Sequence, residues 1–100
     1  MYRLVVSYHH PEDPQAFLAH YRITHAPLAA RMPGLAEYTW GTCEALDGSR
    51  PEYFAVAVLD FPDKDTALSS MGSELGRQGT ADMASFAQAG VTITTYETAD

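Results

Sequence analysis

The residues able to do chemistry in this chain of 100 are four histidines, His9, His10, His20 and His25, and a set of aromatic residues that could stand beside them. An imidazole changes charge near neutral pH, so it can act as a general acid or base or donate a hydrogen bond to a ligand. His25 stands out by its position. It follows Tyr21 by four residues, which puts the two on one face of a helix. It also precedes Pro27 by two residues, where a helix should be interrupted. An interrupted helix exposes backbone groups and tends to border a cavity. There His25 could abstract or relay a proton while Tyr21 polarises a carbonyl or phenol. The competing reading of the same residues is that His25 caps the broken backbone and Tyr21 packs in the core. Trp40, Tyr8, His9 and Tyr53 occupy strand positions from which rings and polar tips could face a cavity, and are expected as ligand contacts.

Other chemistries find no support. His20 and His25 are five apart, so in a continuous α-helix they point roughly 140° apart. No cysteine or further histidine stands at zinc-ligand spacing, and no metal site is expected. Cys43 lacks a partner motif and reads as an inert strand residue. The chain carries no phosphate-binding glycine loop, nucleophile elbow or Cys-x-x-Cys pair.

Composition narrows the class. One hundred residues make a single domain. The apolar fraction of 46% is enough for a packed core. The net charge of −7, with only six scattered Lys and Arg, argues against a nucleic-acid or anionic-membrane surface, which needs clustered cations. A single cysteine forms no internal disulfide and fits a reducing compartment. No signal-peptide pattern opens the chain and no apolar run reaches membrane-spanning length. A cytoplasmic protein with no membrane partner is expected.

The periodicity places these residues on elements. Residues 2–9 alternate as a strand, with Tyr2, Leu4, Val6 and Tyr8 on one face and Arg3, Val5, Ser7 and His9 on the other. Asp13-Pro14 starts a helix, the aspartate as cap and the proline in the first turn. Its stripe is Phe17, Leu18 and Tyr21. Pro27 predicts a break near residues 24–26 and a short second piece to Met32. Pro33-Gly34 turns the chain into a strand over 35–45, with Tyr38 and Trp40 on one face. An Asp47-Gly48 turn leads to a third strand over 52–61, apolar on both faces. Pro62-Asp63 opens a helix over 64–75 with Ala67, Leu68, Met71 and Leu75 as its stripe. Gly72, Gly76 and Gly79 weaken its end, a short helical piece over 81–87 carries Met83 and Phe86, and residues 91–97 form the last strand.

The order strand, helix, strand, strand, helix, strand predicts an α+β fold of ferredoxin-like βαββαβ type: a four-stranded antiparallel sheet with both helices on one face. The other sheet face would then expose apolar side chains, and two such faces packed about 10 Å apart would bury both. A homodimer is the expected assembly.

The run His20-Tyr21-Arg22-Ile23-Thr24-His25-Ala26-Pro27-Leu28-Ala29, followed by Pro33-Gly34-Leu35, resembles the signature of the EthD family. In that family a helix ends in His-x-Pro-Leu and a Pro-Gly-Leu leads into the second strand. His25, Pro27, Leu28, Pro33, Gly34 and Leu35 match, and the element order is similar over essentially the whole chain. The resemblance implies the dimeric α/β-barrel superfamily. The family is named for a component of ethyl tert-butyl ether degradation encoded beside a cytochrome P450 system, and its members are often labelled oxidoreductases by association. The wider superfamily includes cofactor-free polyketide cyclases, muconolactone isomerases, monooxygenases and haem enzymes. This sequence has no flavin, haem or nicotinamide motif, and no cofactor is expected. The resemblance implies a protein that binds a small apolar organic molecule, accessory to oxidative catabolism, with its pocket beside Tyr21, His25 and Trp40. A cofactor-free cyclase, isomerase or decarboxylase using His25 and Tyr21, and a structural dimer without ligand, are the alternatives.

Overall fold

The structure, a computed structural model, describes residues 1–99. The alternating run at the start forms β1 (Tyr2–Tyr8), with Leu4, Val6 and Tyr8 buried and the intervening residues only partly so. Asp13 accepts a hydrogen bond from the Ala16 N–H at 3.0 Å and Pro14 takes the first turn of α1 (Pro14–His20), as the Asp-Pro pair predicts.

Pro27 does not break the helix. The chain widens instead into a π-helical turn, Tyr21–His25, and continues into α2 (Ala26–Ala30). The Ala26 N–H reaches back to the Tyr21 carbonyl, five residues away. The wider turn removes the conflict that a proline creates in an α-helix, where its ring meets the carbonyl four residues earlier and its missing N–H leaves a gap.

Gly34, at φ 76°, makes the turn after α2 in a left-handed conformation that suits glycine. The next strands are shorter than their sequence pattern: β2 is Glu37–Thr42 and β3 is Ala55–Phe61. Between them, Asp47 accepts from the Ser49 N–H and hydroxyl, and Gly48 takes φ 79°. The sheet order is β2-β3-β1-β4, with β4 being Val91–Glu97, and every neighbouring pair is antiparallel.

The second half of the helical layer differs from the periodicity. Helix α3 (Lys64–Met71) stops at Gly72. Ser73 then caps a new helix, α4 (Glu74–Phe86), by accepting from the Gly76 N–H. Residues 74–86 are thus one helix despite Gly76 and Gly79, not a frayed end plus a short piece. Gly76 has a packing reason: a Cβ there would collide with the Ser70 and Met71 carbonyl oxygens, so its absence lets the two helices meet closely. Leu68, expected on the buried stripe, is 58% exposed, and Ser70 is buried instead. The inward face of α3 is Ala67 and Ser70, with Met71 partly buried against the core.

The helices lie on one face of the sheet. Their core is Phe17, Tyr21, Met32, Ala67 and Phe86 against Leu4, Val6, Tyr8, Ala57, Leu59 and Phe61. The other face carries Val5, Val56 and Val58, partly buried, beside Arg3 and Asp60. Arg3 and Asp60 face each other in register and form a two-pronged ion pair at 2.7 and 2.9 Å. That pairing holds the Asp60 carboxyl below its usual range.

Candidate functional site

Register decides which strand residues meet the helices. Leu59 pairs with Tyr38, Ala57 with Trp40, and Val6 with Ile93, so Tyr38, Trp40, Tyr8 and Ile93 all point to the helical side. A cavity of about 260 Å³ lies there. Its walls are mostly aliphatic and thioether, including Met32, Met71 and Met83. The polar groups set into it are His25, three tyrosines and Thr80. Ile93 lines it and is 50% exposed, which places the open side over the edge strand β4.

His25 is 6% exposed. Its ring lies 4.8 Å from that of Phe86 and 5.1 Å from that of Tyr21, measured between centroids. Its Nδ1 is 3.0 Å from Oδ2 of Asp82, and the other oxygen of that carboxylate is 2.8 Å from Nε2 of His20. A carboxylate only accepts, so the facing nitrogens carry the protons. The proton of neutral His25 is therefore on Nδ1. Its Nε2 has no hydrogen-bond partner among the described residues and is left as a free base. Burial lowers the His25 pKa below its ordinary value of 6.5, and the bond to Asp82 opposes that shift only in part. At neutral pH the imidazole is uncharged.

The tyrosines form a second hydrogen-bonding group. The Tyr21 and Tyr38 hydroxyls are 2.8 Å apart. One donates to the other, and the second proton is free to be given away. The Tyr8 ring stands edge-on to Tyr21 at 5.5 Å. Burial pushes all three phenols above their usual range, so they are neutral donors. Trp40 packs 4.4 Å from the Tyr21 ring and backs the wall.

The structure thus brings His25, Tyr21 and Tyr8 onto the cavity wall, while Trp40 packs against Tyr21 and is not itself a lining residue. His9 and Tyr53 are elsewhere: they contact each other edge-to-face at 5.4 Å, and His9 Nε2 meets the Thr92 hydroxyl at 3.1 Å. Neither lines the cavity. Among the described residues no set of three or more His, Cys, Asp or Glu is arranged to hold a metal ion.

Two features were missed from sequence. The angle between His20 and His25 assumed α-helical spacing, but the π turn brings residues five apart to one side, and both rings reach Asp82. Asp82 lies within the helical piece expected over residues 81–87, with no motif to mark it. Its signal was the spacing to Phe86, four residues on, which marks the inward face of α4.

The fold and site define a ferredoxin-like α+β domain with an apolar cavity between sheet and helices, entered by one buried imidazole and a tyrosine pair. Residues 9–90 match the EthD domain, and the chain belongs to the EthD family. A relative from Rhodococcus erythropolis, an uncharacterized 11.0 kDa protein of the thcB–thcC intergenic region, is 41% identical over 93 residues, covering 93% of this chain and 90% of its own. Among solved structures, an ethyl tert-butyl ether degradation family protein from Bacillus halodurans C-125 superposes with a TM-score of 0.92 at 27% identity, over 99% of both chains. A dimeric ferredoxin-like protein of unknown function from Thermobifida fusca YX gives 0.77 at 16% identity, over 97% of this chain and 90% of its own. SnoaB, a cofactor-independent oxygenase from Streptomyces nogalater, gives 0.70 at 15% identity, over 99% and 93% of the two chains.

Proposed function

We propose that this protein binds a small, uncharged, largely apolar organic molecule and removes a proton from it, with His25 as the general base. One observation carries the reading. A buried imidazole, held in a single tautomer by Asp82, leaves Nε2 free beside an apolar cavity. A carboxylate that fixes the imidazole tautomer is the arrangement by which a histidine is made a base in hydrolytic triads. The lining includes no Lys, Arg, Asp or Glu, so a charged ligand would find no partner there. An apolar cavity of about 150 Å³ can hold benzene. The cavity here, about 260 Å³, suits a molecule of one or two small rings.

The step balances without a further reactant. His25 Nε2 takes a proton from an acidic C–H or O–H of the ligand. The electron pair left behind moves onto a neighbouring oxygen, which accepts the free proton of the Tyr21–Tyr38 pair as a hydrogen bond. Isomerisation and cyclisation both proceed through such anions. The Streptomyces nogalater oxygenase, of the same fold, is also cofactor-independent. The protein works as a homodimer: Val5, Val56 and Val58 offer a face for a second copy, and the Thermobifida fusca neighbour is dimeric.

The test uses 5-nitrobenzisoxazole, a neutral bicycle that loses its C3 proton to a base as its N–O bond opens, releasing a coloured phenolate. The protein should accelerate this about 10²–10⁴-fold over equimolar imidazole, and His25→Ala should remove the acceleration. Equal rates for the two proteins would refute the base.

A further inference from the structure

Asp82 is shared. One of its oxygens faces His25 on the cavity side and the other faces His20 on the outside. The three side chains are graded in exposure: His25 is buried, Asp82 is 12% exposed and His20 32%. His20 stacks on Phe86 at 5.3 Å and borders an open surface groove between the ends of α1 and α4, together with Glu12 and Asp13. Nothing in the base reading requires His20, since Asp82 alone fixes the His25 tautomer.

We propose that His20 is a positioning residue for His25, holding Asp82 from the solvent side and, whenever it carries a proton, drawing the carboxylate's charge away from the buried imidazole. The inference rests on the reading of His25 as the base, because it matters only if the lone pair on Nε2 is used. Two imidazoles on one carboxylate compete for its charge. A proton on His20 neutralises Asp82 and makes a second proton on His25 costlier. A protonated outer histidine thereby favours the basic form of the inner one, using a group that solvent can reach. The other titratable groups around the pair are three tyrosines and two further carboxylates. Tyr21, Tyr8 and Tyr38, from the same helix and from β1 and β2, are neutral donors. α4 contributes Asp82, and Glu12 and Asp13 lie on the groove side with His20.

The experiment is a pH titration of the imidazole ¹⁵N signals in the intact protein, wild type against His20→Gln and His20→Phe. Glutamine can still donate to Asp82 but cannot be charged. Phenylalanine keeps the stack on Phe86 and tests the proposal should the glutamine variant not fold. The His25 midpoint should rise by ~0.5–2 pH units in either variant, the effect of one charge across a carboxylate at an effective dielectric between about 80 and 20. The acid limb of the 5-nitrobenzisoxazole rate should rise with it. A purely structural His20 would leave the midpoint in the glutamine variant unmoved, and a midpoint that stays put or falls overturns the proposal. The two readings fail separately. A shifted midpoint without His25-dependent turnover sinks the base and leaves His20 tuning a ligand-binding imidazole. Turnover with an unshifted midpoint sinks the role of His20 and leaves the base.

Discussion

Replacing Gly79 by alanine should stabilise this protein and impair ligand entry, while the same change at Gly76 should damage the fold. Both glycines sit inside α4 and both border the cavity. A Cβ built on Gly79 meets nothing within 4 Å, and its backbone is not in the left-handed region. Its glycine therefore has no packing justification, and alanine should gain the helix about 0.8–1.0 kcal/mol. For a domain of this size about 1 kcal/mol raises Tm by ~4–8 °C, so Gly79→Ala should melt about 3–8 °C higher. At Gly76 the new methyl would strike the Ser70 and Met71 carbonyls. That forces α3 and α4 apart at an overpacking cost of ~1–3 kcal/mol. The assay is thermal unfolding followed by circular dichroism at one fixed protein concentration, since Tm depends on concentration wherever copies associate. Gly79→Ala should also weaken binding of a cavity ligand such as 5-nitrobenzotriazole, a flat relative of the benzisoxazole. A lower Tm for Gly79→Ala would refute the claim of empty space beside α4, and an unchanged Tm for Gly76→Ala would refute the close helix contact.

Three further outcomes follow from the same geometry. His25 has a folded pKa below its ordinary 6.5. The unfolded state therefore binds more protons between those two values, so stability should be full above about pH 6.5, fall as the pH drops toward the folded value and then level off; the loss should vanish in His25→Ala when chemical denaturation is followed across that range. Tyr21→Phe removes one partner of the Tyr21–Tyr38 hydroxyl pair. It should cost about 1 kcal/mol of stability, with benzisoxazole turnover reduced but not abolished, since Tyr38 keeps a proton to donate. Val58→Lys tests the proposed homodimer: it places a charge on the sheet face opposite the helices and should halve the mass seen in sedimentation while circular dichroism stays unchanged.

The sequence was informative where local chemistry is decisive. Asp13-Pro14 capped and started α1, and Asp47-Gly48 made its turn. The face shared by Leu4, Val6 and Tyr8 became the core side. Reading failed where a distant partner overrides the local rule. Pro27 in isolation argues for a break, but the helix docks on α4 and a π turn preserves it. Gly76 argues against a helix by propensity, yet close approach to α3 requires it. Of the site, Tyr21, His25, Tyr8 and Trp40 were legible as aromatic and ionisable residues on inward faces. His9 directly follows Tyr8 and so points away from the core side, a consequence of strand pleating that the strand pattern already contained. Asp82 was not legible as a partner of His25, because the contact spans 57 residues and depends on the π turn.

The most direct test of the central claim is the crystal structure of this protein soaked with 5-nitrobenzotriazole. The ring system should lie in the cavity between the sheet and α4, its N–H donating to Nε2 of His25, with Asp82 still bonded to Nδ1. Side chains filling that space, or a His25 whose Nε2 is turned into a protein contact with the ligand excluded, would contradict it.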